Sequence, residues 1–181
     1  VINLIHVSGP VAGDVIFKHK DFAGIHFTGS TDVFRDIWKT IGNNLPLYRS
    51  YPRVVGETGG KDFVVAHSSA DPKVVATALT RGAFEYQGQK CSAASRAYIP
   101  DTIWTQVKKE LLADLAEMKM GDPRDFKNFT GAVIDEKSFD KIAGYIDALK
   151  KDKKNIQIIA GGKYDKSKGY FIDPTIIVAK D

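Results

Sequence analysis

The stretch GIHFTGSTDVFRDIWKTIG, residues 24–42, reads as a strand that runs directly into a helix. GIHFT (24–28) is a strand candidate closed by Gly29-Ser30. From Ser30 onward Val33, Phe34, Ile37, Trp38 and Ile41 recur at three- and four-residue spacings, which predicts an amphipathic helix ending near Gly42, capped by Ser30 or Thr31. A second strand candidate, NLIHV (3–7), precedes it, with helical patterning between and after the two.

The alternation continues along the chain. RVVGETGGKDFVVAH (53–67) reads as a strand, a Gly-rich interruption at 56–60 and a strand at 62–66. Asp71-Pro72 is a cap followed by proline at the first helical position, and Val74, Val75, Ala78, Leu79 and Ala83 carry an apolar face to about Tyr86. SRAYI (95–99) resumes as a strand, and Asp101 is expected to cap a helix with Ile103, Val107, Leu111, Leu115 and Met118 inward. A helix over about 136–150 follows, then strands IQIIA (156–160) and YFIDPTIIV (170–178). Strands alternating with helices predict an α/β architecture with mostly parallel pairing.

The chain has 181 residues, 43% of them hydrophobic, enough for one domain or for parts of two. Lys and Arg number 26 against 22 Asp and Glu, a mild imbalance that indicates no nucleic-acid partner. The cluster Lys150, Lys151, Lys153 and Lys154 reads as a solvated helix end. No apolar run approaches the roughly 20 residues that span a bilayer, and no charged leader precedes an apolar one, so no membrane partner is expected. The chain opens directly on VINLIHV and stops on IIVAKD, so both ends read as cuts through a longer protein.

Three constellations carry chemistry. Gly29-Ser30 ends a strand and opens a helix, offering backbone N–H groups and a positive dipole end to an anion, a geometry shared with many ordinary capped helices. Glu57 lies within GETGGK (56–61), where Gly56, Gly59 and Gly60 suggest that something approaches the main chain closely. It is either an exposed carboxylate in a tight turn or a general base. Cys91 is the single cysteine, which excludes an intrachain disulfide. A lone cysteine is more often an inert residue, yet its loop GQKCSAAS (88–95) has only small and polar neighbours, poorly suited to a core and well suited to a reactive thiol. His6, His19, His26 and His67 show no metal-ligand spacing and no second cysteine exists, so no metal is expected. A Cys-His hydrolase stays open, because such pairs meet in space. SFDK (138–141) matches SxxK without its companion motifs.

Taken together, FTGST (27–31), GETGGK (56–61), GQKC (88–91) and GYFIDPTI (169–176) resemble the aldehyde dehydrogenase superfamily in order and spacing, over nearly the whole chain. The 34 residues from Glu57 to Cys91 match the family's separation of base and nucleophile. Phe34 in place of a common Gly, Tyr51-Pro52-Arg53 ahead of the glutamate, and FEYQGQKCSA (84–93) resemble the branch of the superfamily that oxidises glutamate semialdehyde. Thr58 departs from the Leu usual in the wider superfamily. The resemblance implies the end of a Rossmann-like NAD-binding domain (1–59) followed by the first part of an α/β catalytic domain (60–181).

It also implies site roles. Cys91 would be the nucleophile, its backbone N–H helping to hold the oxyanion, and Glu57 the general base. Gly29, Ser30, Thr31, Asp32 and Val33 would line NAD, with Ser30 near the pyrophosphate and Val33 near the adenine. Ser92 would hydrogen-bond the carboxylate of the substrate, glutamate semialdehyde, and the product would be glutamate from proline breakdown. A homo-oligomeric parent and a mitochondrial matrix location, or the cytoplasm in a bacterium, follow from the same resemblance. An Asn, a Lys and a Glu that complete the family's site fall outside this chain, so the segment alone is expected to be inactive. The alternatives are another NAD(P)-dependent aldehyde dehydrogenase, a thiol hydrolase that needs no nicotinamide, and a non-catalytic truncated segment.

Overall fold

The computed structural model describes residues 2–179. The chain divides into two compact units, one ending at Gly60 and the other beginning at Lys61. In the first, α1 (Gly9–Ile16) has Pro10 in its first turn, where a missing N–H costs nothing. β1 (Gly24–Thr28), α2 (Thr31–Asn43) and β2 (Arg53–Glu57) then form a β–α–β unit. The strands pair in parallel, from Gly24 opposite Arg53 to Thr28 opposite Glu57, which requires a crossover such as α2 rather than a tight turn. Ser30 caps α2, its Oγ accepting from the Val33 N–H at 3.3 Å. Phe17, Phe22 and Ile41 form the core, with Ile25, Ile37, Tyr48 and Val54 packed against it. The Phe17 carbonyl accepts from Asn44 Nδ2 at 2.8 Å and Tyr48 OH at 2.7 Å, fixing the end of α1 to the segment after α2.

The expected strand at 3–7 does not form. These residues have no ladder partner among the described residues, and Leu4 and Ile5 are 84% and 72% exposed. Apolar, β-branched composition marks a segment that suits a sheet, but only a neighbouring strand makes it one.

In the second unit, β3 (Asp62–Val65) pairs in parallel with β4 (Ala94–Tyr98), with a register shift between Asp62 and Phe63. The crossover is α3 (Pro72–Phe84), whose Asp71 cap accepts from the Lys73 N–H at 2.8 Å and the Val74 N–H at 3.1 Å. α4 (Asp101–Glu117) packs on α3, and Val75, Ala76, Leu79, Ile103, Val107 and Leu111 are buried together with Ala66. Each large aliphatic side chain enclosed here contributes about 1.5–3 kcal/mol by leaving water. Thr80 Oγ1 donates to Asp114 Oδ2 at 3.0 Å, tying the two helices. The buried stripe of α3 is rotated from the expected one: Val74 and Ala78 are exposed, while Ala76 and Thr80 are buried. Asp101 is the first residue of α4 rather than its cap. Pro100 holds the cap position and its carbonyl accepts from the Ile103 and Trp104 N–H groups.

α5 (Glu136–Lys151) covers a third cluster of Val133, Phe139 and Ala143, against which Tyr164, Tyr170 and Ile172 pack. Lys150 and Lys151 lie in its last turn, where cations suit the dipole, and Lys150 sits over the Tyr164 ring at 5.1 Å. β5 (Ile156–Ala160) and β6 (Tyr164–Asp165) are followed by two strands where YFIDPTIIV reads as one: β7 (Phe171–Ile172) and β8 (Ile176–Ala179). Pro174 breaks the run, since it cannot donate to a ladder and restricts Asp173 before it. β5 pairs with β8 and β6 with β7, both antiparallel, so the parallel pattern holds for β1–β4 and not beyond. The architecture is α/β.

Candidate active site

Glu57 is the last residue of β2, and its carbonyl accepts from the Gly29 N–H at 3.1 Å. The glutamate and the turn that opens α2 therefore stand together at the carboxyl end of a parallel strand pair, the position where open α/β sheets bind ligands. Glu57 is exposed, as are Gly29, Ser30, Thr31, Asp32 and Val33. The Ser30 hydroxyl is engaged in capping, while the Val33 and Phe34 N–H groups are satisfied by Ser30. That leaves the Thr31 and Asp32 N–H groups pointing out of the helix start, a fit for a phosphate oxygen. Asp32 puts a carboxylate in the same turn, 3.5 Å from Arg35 Nη1. It favours the helix dipole and disfavours an anion beside it.

Gly29 and Gly56 have local explanations. Phe34 stacks on Phe27 with centroids 5.9 Å apart, and Trp38 meets Phe34 edge-on at 5.7 Å. This aromatic row lies over the strand ends: a Cβ at Gly29 would stand 2.6 Å from the Phe27 ring, and one at Gly56 would overlap the Phe34 ring. What approaches the main chain at Gly56 is therefore Phe34, while a Cβ at Gly59 would meet nothing within 4 Å.

Cys91 lies in the second unit, between α3 and β4. The Ala93 N–H donates to the Lys90 carbonyl at 3.2 Å, so Cys91 and Ser92 are the two middle residues of a turn, both exposed. Neither N–H of that pair has a protein acceptor among the described residues. Lys90 does not spend its charge on the thiol: its Nζ donates to Glu85 Oε2 at 2.6 Å, and Arg81 donates to the other oxygen at 2.6 Å. Those two bonds, Lys90 first, hold the Glu85 carboxyl below the usual glutamate range. His67, the histidine of this unit, follows β3 and bonds Ser69 Oγ at 2.8 Å. It sits at the opposite end of the β3/β4 pair from Cys91, roughly 15 Å away at ~3.3 Å per strand residue, so these two form no hydrolase dyad.

The structure thus brings Glu57 together with Gly29–Val33, and places Cys91 with Ser92. Sequence reasoning missed the residues that shape the thiol turn: Glu85, and the glutamines Gln87 and Gln89. Gly88 in the motif was the one signal of an unusual backbone there. Surface hollows lined by Leu149, Lys153 and Ile158, and by Val74, Thr77 and Ala78 on α3, contain none of these residues. No cluster of three His, Cys, Asp or Glu side chains is arranged for a metal among the described residues, and no helix there is long and apolar enough to cross a membrane.

The sequence profile described as aldehyde dehydrogenase family matches residues 1–181. The chain is 51% identical over 183 residues to the mitochondrial delta-1-pyrroline-5-carboxylate dehydrogenase of Dictyostelium discoideum, covering 100% of this chain and 33% of that protein. Against the Homo sapiens protein of the same description it is 43% identical over 182 residues, covering 100% of this chain and 32% of the other. The crystal structure of delta-pyrroline-5-carboxylate dehydrogenase from Mycobacterium tuberculosis bound with NAD superimposes with a TM-score of 0.92 at 50% identity, covering 97% of this chain and 32% of that one. The chain spans about a third of the length of the curated relatives it matches.

Proposed function

Because the chain belongs to the aldehyde dehydrogenase family, we propose that it carries the thiol and the general base of an NAD-dependent oxidation of L-glutamate 5-semialdehyde to L-glutamate. That aldehyde is the open form of 1-pyrroline-5-carboxylate, the compound in the names of its relatives. The observation that supports the reading most is Glu57 beside the α2 turn, at the carboxyl end of the β1/β2 pair. In this reading residues 1–59 are the end of a cofactor-binding domain and 60–181 the start of a thiol domain. A homo-oligomeric protein in the mitochondrial matrix belongs to the same proposal; the relatives' names carry the word mitochondrial.

The Cys91 thiol gives up its proton to solvent water, and its sulfur adds to the aldehyde carbon while the carbonyl π electrons move to oxygen. The Cys91 N–H donates to the resulting oxyanion. When bound, NAD supplies the two-electron acceptor that turns this adduct into a thioester. The Thr31 and Asp32 N–H groups and Gly29 would hold a phosphate of that cofactor, with Val33 against the adenine. Glu57 then takes a proton from water, whose oxygen attacks the thioester carbon, and the carbon–sulfur bond breaks to return the thiolate. Ser92, next to the thiol, would donate to the far carboxylate of the substrate and so favour a dicarboxylic product.

The test is NADH formation from glutamate semialdehyde by the complete reading frame, with the 181-residue chain assayed beside it and expected to form none. Cys91→Ser is expected to abolish both NADH formation and acyl trapping. Glu57→Gln is expected to keep a first-turnover burst while steady turnover falls roughly 10²- to 10⁴-fold, the usual contribution of a general base. Ester cleavage indifferent to NAD, or full turnover in Glu57→Gln, would contradict the proposal.

A further inference from the structure

We infer that Gln89 is a positioning residue for the Cys91 thiol, latching the turn that carries it to the 131–134 segment; the inference rests on the reading of Cys91 as the nucleophile. Tyr86, Gln87 and Gly88 have φ of 54°, 57° and 67°, three successive residues in the left-handed region where only glycine is at ease. A Cβ at Gly88 would in addition stand 2.8 Å from the Ala83 carbonyl oxygen. Such a run persists only where its surroundings over-determine it.

Two sets of contacts do so. Inside the loop, Glu85 is bonded to Arg81 and Lys90 at 2.6 Å each, and the Gln89 N–H donates to the Tyr86 carbonyl at 3.1 Å. These are local, and the ion pairs are exposed and screened. Beyond the loop, Gln89 Oε1 accepts from the Ile134 N–H at 2.9 Å, across 45 residues of sequence. With its amide oxygen turned to the Gly131 N–H, Gln87 accepts there at 2.5 Å. The receiving segment is itself anchored: Val133 is buried with Phe139 and Ala143, and its N–H donates to the Tyr170 carbonyl at 2.9 Å. Gln89 is thus a strut from the α5 core to the residue two before the thiol. Because Cys91 and Ser92 are the middle of the next turn, a tilt at Gln89 re-aims the thiol and the Cys91 N–H together. An alkylating reagent with no orientation demand tolerates that, whereas an aldehyde that must meet sulfur and N–H at once does not.

Gln89→Met keeps length and bulk and removes the acceptor. In the complete reading frame it is expected to lower kcat for the aldehyde roughly 10- to 100-fold, with KM and the rate of Cys91 alkylation by iodoacetamide each within about threefold of the parent. Hydrogen exchange at the Ile134 N–H should quicken. Gln89→Glu, which keeps an oxygen at the same place, should leave that exchange at the parent rate. An unchanged kcat, an unmoved Ile134 amide, or alkylation that falls in step with kcat each overturns the latch. If Gln89→Met does not fold, Gln89→Glu decides: faster Ile134 exchange despite the retained oxygen overturns it, and parent-like exchange supports it. A parent protein that oxidises no aldehyde while its thiol alkylates would instead overturn the reading of function, and Ile134 exchange would still report on the latch.

Discussion

Phe34 and Gly56 are a matched pair, one large side chain fitted over one absent side chain. The Phe34 ring occupies the space a Cβ at Gly56 would need, and its stacking on Phe27 leaves it little room to turn away. Gly56→Ala is therefore expected to cost about 1–3 kcal/mol, the range for overpacking, read from denaturant unfolding. The double variant Gly56→Ala/Phe34→Leu should recover most of that loss, since contacting residues are non-additive. Stability of Gly56→Ala equal to the parent would show that the ring moves freely. The same pair decides what the Gly-rich motif around Glu57 means. Glycine at 56 answers to packing from within the unit, so at this position the motif needs no ligand to account for it, while the Glu57 carboxylate beside it is exposed.

At the level of elements, Ser30 and Asp71 cap as their residue types promise, whereas Asp101 falls inside α4 and Pro100 takes the cap position. Asp71 satisfies two N–H groups at the start of α3, and α3 leads into the loop of Cys91. Asp71→Ala is expected to lose about 0.5–2 kcal/mol, visible as a lower unfolding midpoint, with Asp71→Asn restoring most of it; equal stability of all three would remove the cap from the account. β1, α2, β2, β3, α3 and β5 were legible in the sequence because each is specified locally, by a cap, a proline at the helix start, or glycine at the strand end. The strand failures were where a distant partner decides. NLIHV carries strand composition but pairs with nothing among the described residues. YFIDPTIIV carries it as well, and Pro174 divides it between two partners, β6 and β5. The candidate site shows the same split. Cys91, Glu57 and the α2 turn stand out by residue type, whereas the Gln89 contact to Ile134 joins residues 45 apart and left no local mark.

For the whole molecule, charge sets a stability window with two edges. On the acid side Glu85 is held below its ordinary range by Lys90 and then Arg81, Asp122 by Arg124, and Asp135 and Asp165 by the backbone N–H groups of Ser138 and Ser167. A carboxyl depressed in the folded state adds stability above its unfolded value and loses it as pH falls through the folded one. On the alkaline side the sign reverses. Lys166 is raised by Glu136 and then Asp140, and Tyr164 by the hydrogen bond it donates to Asp147. Their stabilisation is present below the unfolded values and disappears as pH rises through the folded ones. The urea midpoint is therefore expected to be flat through neutrality, to fall below about pH 4, and to fall again above about pH 10, where free carboxyl, lysine and phenol groups titrate. The formal net charge of +4 grows as carboxylates protonate, so self-repulsion adds to the acid loss. Salt separates the two contributions. Screening weakens the repulsion and the exposed ion pairs of Glu85, Asp122 and Lys166, but leaves the short bonds that Asp135 and Asp165 accept from backbone N–H groups, at 2.7 and 2.8 Å, largely intact. An acid edge should thus persist in high salt. A midpoint at about pH 3 in high salt equal to the neutral one would mean that these two aspartates contribute nothing to it.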